Sequence, residues 1–194
     1  MTRAIESQVK TRRWRRVEYE RLVDLGMFTG ERLELLAGLL IVGEPQGSHH
    51  AAIVAHIGRV LALAFGSGWH PRLQMPLALD DDSEPEPDIA VVAGEPRDFL
   101  SAHPSIAALA VEVSESSLRM DRSLKGGRYA RAGIGDYWIV NLVESAVELH
   151  RDPQATRGGK GGWRYRSVQI LRPPARITPL AAPGALIDVS DLLP

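Results

Sequence analysis

Apolar positions along the chain follow two different periods. Over 48–68, SHHAAIVAHIGRVLALAFGSG, residues Ile53, Ile57, Val60, Leu61 and Ala64 recur at three- and four-residue steps. That spacing predicts a helix with one buried face, and Ser48 stands where an N-cap belongs. VEYERLVDLGMF (17–28) spaces Val17, Leu22, Leu25 and Phe28 for a shorter amphipathic helix. RLELLAGLLIVG (32–43) carries two apolar runs about Ala37-Gly38 and predicts a hairpin. HPRLQMPLALDDD (70–82) reads as an extended segment that takes in Gln74, and its Pro76 suits a sheet edge. Short apolar runs then predict strands from Asp88 to Ala93, within AALAVEVSESS (107–117), and across DYWIVNLV (136–143) and AVELHRD (146–152), the last two paired about Glu144-Ser145. WRYRSVQIL (163–171) alternates like a half-exposed strand. Between these lies SSLRMDRSLKGGRYARAG (116–133), a helix with a basic face closed by Gly133. Its Gly126-Gly127 pair marks a close approach or a kink, since each helical glycine costs about 1 kcal/mol relative to alanine.

This order of elements predicts an α/β architecture, a mixed sheet with helices on its faces. No internal repeat or long linker divides the chain, so residues 17–194 read as one domain behind a basic segment, 1–16. Composition changes this picture little: 44% hydrophobic, 24% charged and a net charge of -1 describe an ordinary globule. With so small a net charge, any nucleic-acid contact has to come from a local patch. Cysteine is absent, which removes disulfides and zinc-thiolate sites. With no run long enough to span a bilayer and no secretory h-region after the basic N-terminus, a cytoplasmic protein is expected.

Three carboxylates break apolar segments: Glu34 in RLELLAG, Asp88 in PEPDIAVV and Glu112 in LAVEVSE. A carboxylate buried alone would cost several kcal/mol or take up a proton, so Glu112 requires a cation nearby. A single such residue reads most simply as a strand-edge charge or a structural ion pair; three are harder to set aside. On neighbouring strands, Asp88 and Glu112 could share a divalent ion, and oxygen-only ligands favour Mg²⁺ or Mn²⁺. Lys125, with Tyr129 four residues on along the same helical face, is the candidate cation, against the plainer reading of a solvated lysine.

The segments ELLAGLLIV, SHH and EPEPDIAVV, and above all the run from Glu112 to Trp138, E-V-S-x-S-S-x-x-x-D-x-x-x-K-x-x-x-Y-A-x-x-G-I-x-x-Y-W, resemble the Uma2 family of the PD-(D/E)XK nuclease superfamily. The likeness extends from about Val17 to Leu192. It implies a restriction-endonuclease-like fold, with an N-terminal helix and β-hairpin, and a Mg²⁺- or Mn²⁺-dependent endonuclease acting on DNA. Asp88 matches the metal-binding Asp of the P-D motif, Glu112 the acidic residue of (D/E)-X-K, and Glu34 the additional acid from an earlier element. Ser114 stands where the usual motif has lysine, and the family's lysine falls on the following helix, at Lys125.

The expected site is therefore Glu34, Asp88, Glu112 and Lys125, with Asp88 and Glu112 on the metal and Gln74, His50 and Tyr129 as candidate lining residues. Core packing is an equal reading for Tyr129. His49 and His56 lack zinc-ligand spacing and read as caps or surface groups. DNA contacts would come from KTRRWRR (10–16), from Arg119, Arg122, Arg128 and Arg131, and from RGGKGGWRYR (157–166), with Lys160 and Arg164 beside stacking aromatics. A homodimer is expected by analogy with nucleases that cut two strands, with DYWIVNLV bordering the interface. The competing readings are a non-catalytic scaffold that binds nucleic acid or a protein partner, and a hydrolase of small phosphates.

Overall fold

The computed structural model describes residues 11–43, 45–156 and 162–194. The expectations resting on Lys10 and on Lys160 lie outside them. Helix α1 (Arg16–Asp24) leads into a hairpin, β1 (Leu33–Leu36) and β2 (Leu39–Val42), and then helix α2 (Ser48–Phe65). Strands β3 (Trp69–Leu73), β4 (Ile89–Ala93), β5 (Leu109–Ser114), β6 (Asp136–Asn141), β7 (Ala146–Ala155) and β8 (Trp163–Leu171) form one sheet in the order β3-β4-β5-β6-β7-β8. All neighbours run antiparallel except β5 and β6, which are parallel. A parallel pair needs a crossover, and the chain supplies it as a helix: α3 (Leu118–Met120), a π turn (Asp121–Lys125) and α4 (Gly126–Arg131). A small pair, β9 (Arg176–Ile177) and β10 (Ile187–Asp188), follows.

Alternation along the strands sorts the core into two layers. Ile89, Val91, Leu109, Val111, Trp138 and Val140 pack beneath Ile53, Ile57 and Leu61 of α2. The intervening Ala90, Ala110, Tyr137 and Ile139 pack on the other face against Tyr129 and Ala130 of α4. Because side chains in a strand alternate in direction, Glu112 between Val111 and Val113 points to the α4 face. Glu112 thus lies on the face of the sheet covered by the crossover helix, among the apolar contacts made there.

Several sequence expectations need correction. α1 ends at Asp24, short of the 17–28 expected, and of the four apolar positions Val17 and Leu25 are 58% and 63% exposed while Phe28 packs on Tyr19, which is buried and donates a 2.7 Å hydrogen bond to the Leu33 carbonyl. An aromatic ring with a hydroxyl meets both the apolar hairpin and its polar backbone. Gly47 rather than Ser48 caps α2, and Ser48 is its first helical residue. Gln74 lies just beyond β3 in a left-handed conformation, φ 52°, and so is not a strand residue. DYWIVNLV cannot border an interface through β6, because β6 is an interior strand buried at every position. The hairpin turn falls at Ala37 and Gly38 as expected, both with positive φ (53° and 74°), the conformation a two-residue turn of this hand requires.

Candidate active site

The EPEPD segment answers to β1. Leu35 and Glu84 exchange backbone hydrogen bonds of 3.2 and 2.7 Å, and the Glu86 N–H donates to Glu34 Oε2 at 3.0 Å. Asp88 then enters β4 with Oδ2 accepting the Val113 N–H at 2.8 Å, which ties it to the residue after Glu112. Its Oδ1 lies 3.0 Å from His50 Nε2 and 3.4 Å from the side-chain amides of Gln46 and Gln74. Burial would raise the Asp88 carboxyl, but the His50 hydrogen bond and the Val113 N–H outweigh it and hold the group below its ordinary value. The same contact with Asp88 pushes His50 up.

Glu112 lies deeper. Its Oε1 accepts the Tyr129 hydroxyl at 2.6 Å and faces Lys125 Nζ at 3.1 Å. The same ammonium is 3.3 Å from Glu34 Oε1, so Lys125 bridges two carboxylates that are far apart in sequence. Burial alone would lower the Lys125 pKa, but Glu112, Glu34 and Asp121 reverse this, and it remains an ammonium at any physiological pH. Burial pushes Glu112 up, with Lys125 pulling the other way.

The π turn is what aims Lys125. A turn with i→i+5 hydrogen bonding widens the helix, and such turns concentrate at functional sites. Here both its first and last residues, Asp121 and Lys125, are buried. Gly126 marks a close approach: a Cβ there would stand 3.0 Å from the Asp121 carbonyl oxygen and 3.5 Å from the Tyr137 ring. Asp121 accepts the Ser117 hydroxyl at 2.5 Å and is pushed up by burial. It was not among the sequence candidates, although its place four residues before Lys125 put it on the same helical face.

These groups line a cleft of about 770 Å³ that contains six carboxylates, Glu34, Glu86, Asp88, Glu112, Glu115 and Asp121. Its cations are Arg32, Arg119, Lys125 and, when protonated, His50. Among the described residues no three His, Asp or Glu side chains form a ready-made metal cluster. Arg122 and Arg128, read from sequence as DNA contacts, have internal partners: Arg122 grips Glu148, and Arg128 Nη1 lies 3.6 Å from Asp82. Arg131 joins Asp80 and Asp82 at 3.5 and 3.6 Å, so α4 holds the acidic loop. Arg164 is exposed on β8, the edge strand of the sheet.

A sequence profile described as "Putative restriction endonuclease" matches residues 16–190. The chain belongs to the Uma2 family. A crystal structure titled as that of a putative nuclease from Anabaena variabilis superposes with a TM-score of 0.62 at 18% identity, over 88% of this chain and 96% of the other. At that identity the likeness establishes a shared fold. No curated protein matches the sequence. Among the described residues of this Uma2 chain, no helix is long and apolar enough to cross a membrane.

A second charged cluster on the α4 face escaped the sequence reading. Glu148, paired in register with Ile139, receives Arg122 Nε at 2.9 Å and Nη2 at 2.5 Å, Asn141 Nδ2 at 2.9 Å and His150 Nε2 at 3.4 Å. Burial would raise this carboxyl, yet the hydrogen bonds from His150, Arg122 and Asn141 bring it from 4.5 down to about 2. A depressed carboxyl contributes stability that is fully present above pH 4.5 and is lost as pH falls through about 2. Because Arg122 is half exposed, its share is screened. Arg122→Ala is expected to destabilise the protein by about 1–2 kcal/mol at neutral pH and by less as pH drops below 4, read from urea unfolding at each pH. An equal loss at pH 7 and pH 2 would contradict this role.

Proposed function

We propose that this Uma2 chain hydrolyses phosphodiester bonds of DNA in the cleft over Glu112. The observation that carries the reading is the Lys125 ammonium held between Glu34 and Glu112, beside Asp88, on the floor of an accessible cleft. The donor set fits a divalent ion. Asp88 and Glu112 offer oxygens only, and Glu112 Oε1 takes both the Tyr129 and Lys125 donors, leaving Oε2 for another partner. Two protein carboxylates with water filling the rest suit Mg²⁺ or Mn²⁺, which keep much of their hydration, better than an ion caged by protein ligands. When bound, such an ion lowers the pKa of its water and neutralises phosphoryl oxygen.

The chain's own groups divide the remaining work. Lys125 cannot act as a base, because its neighbours keep it protonated. It serves as a fixed positive charge and donor where negative charge grows on the phosphate, the kind of preorganised contact that lowers a barrier most. Glu34 fixes the ammonium from one side and is itself fixed by the Glu86 N–H. Tyr129 orients Glu112 from within the core, and His50 orients Asp88. Gln74 and Gln46, joined by a hydrogen bond, flank the same Asp88 oxygen.

The absence of a three-ligand cluster among the described residues favours a second reading, a nuclease-like scaffold that binds without cutting. Calorimetric titration with Mn²⁺ separates the two. The nuclease binds the ion in a manner lost on Asp88→Asn; the scaffold gives no Asp88-dependent heat.

A further inference from the structure

We infer that Arg119 contacts a DNA phosphate next to the one being cut, an assignment that rests on the nuclease reading. Arg32 Nε lies 3.2 Å from Glu86, Lys125 is enclosed by Glu34 and Glu112, and His50 is joined to Asp88. Among the described residues Arg119 makes no ion pair, and it alone of the four cleft cations has its charge uncommitted. The surrounding carboxylates outnumber the cations, so a polyanion entering here gains most from a cation that no carboxylate has neutralised.

Depth decides which phosphate it meets. Lys125 is 6% exposed at the base of the cleft, whereas Arg119 is exposed at its rim, before the π turn that carries Lys125 inward. A single phosphate seated against Lys125 is therefore served from below, and a cation at the rim meets the next one along the strand. Arg119 is thus a binding residue for polymeric substrate: it contributes to holding the strand equally in the ground and transition states. Such a contact changes KM and leaves kcat alone. A guanidinium suits the task, since its planar fork pairs with two phosphate oxygens.

The test measures Arg119→Ala in two ways. In steady-state cleavage of linear duplex DNA with Mg²⁺, KM is expected to rise roughly tenfold, the scale of one charge-assisted contact, with kcat unchanged. In fluorescence anisotropy with a labelled duplex, on a Glu112→Gln background that leaves DNA intact, the slope of log K against log[salt] is expected to shrink by about 1, as for one lost phosphate contact. Arg59→Ala, exposed on α2 outside this cleft, should alter neither. DNA cleavage with KM and salt slope unchanged in Arg119→Ala would overturn the assignment while leaving the nuclease intact. A fall in kcat at constant KM would overturn it too, by moving Arg119 onto the reacting phosphate. Wild-type protein that neither binds nor cuts DNA would overturn this inference together with the function it rests on.

Discussion

Replacing Lys125 with methionine is expected to cost about 3–5 kcal/mol of stability and to end cleavage. The side chain is buried, and its ammonium is the shared counter-charge of Glu34 and Glu112 at 3.3 and 3.1 Å. Methionine has a similar length and keeps the packing, so the loss reports on charge rather than on a cavity. What remains is two carboxylates with no cation between them and Asp121 close by, the arrangement that makes breaking a buried pair so much worse than never having built it. Urea unfolding at pH 7 measures the effect. The double variant Lys125→Met/Glu112→Gln should recover part of the stability, because it removes the stranded charge as well, while remaining inactive. A single-variant loss below about 1 kcal/mol, the level of a solvent-exposed pair, would show that Lys125 is not the counter-ion described here.

The second large effect separates chemistry from folding. Glu112→Gln is nearly isosteric, its amide oxygen can still accept the Tyr129 hydroxyl, and Lys125 keeps Glu34 as a partner. The neutral amide relieves the burial cost carried by the Glu112 carboxylate while Lys125 retains Glu34, so the stability loss should be smaller than that of Lys125→Met. Cleavage, by contrast, is expected to fall at least about 10²-fold, the penalty typical of removing one preorganised charged contact from a reacting centre. Initial rates of plasmid nicking, with unfolding curves on the same preparations, give both numbers. A stable variant with wild-type rates would exclude Glu112 from the reaction.

How much of this could be read from the sequence depends on how local each signal is. Asp88 and Glu112 stood out because each breaks an apolar strand, and a strand's two-residue period fixes the direction in which a side chain points. Lys125 and Tyr129 were legible as a pair because four residues make one helical turn. The π turn was not legible, since it arises from how Asp121 and Gly126 fit against Tyr137, a contact made only once β6 is in place. Nothing local marked Glu148, because its guanidinium partner comes from the crossover helix, 26 residues earlier. The same non-locality hid the acidic partners of Arg122 and Arg128, whose positive charge is visible in the sequence while those partners are not. Around α1, periodicity highlighted Val17 and Leu25, which face solvent, because the hairpin takes up Tyr19 instead.

Incubating supercoiled plasmid with wild-type protein and Asp88→Asn side by side in Mg²⁺, with chelator as control, tests whether the Lys125-centred acidic cluster cuts phosphodiester bonds. Nicked or linear DNA is expected from the wild type in Mg²⁺, and intact supercoils from the variant and from the chelated sample. Equal cleavage by Asp88→Asn and the wild type would contradict that role.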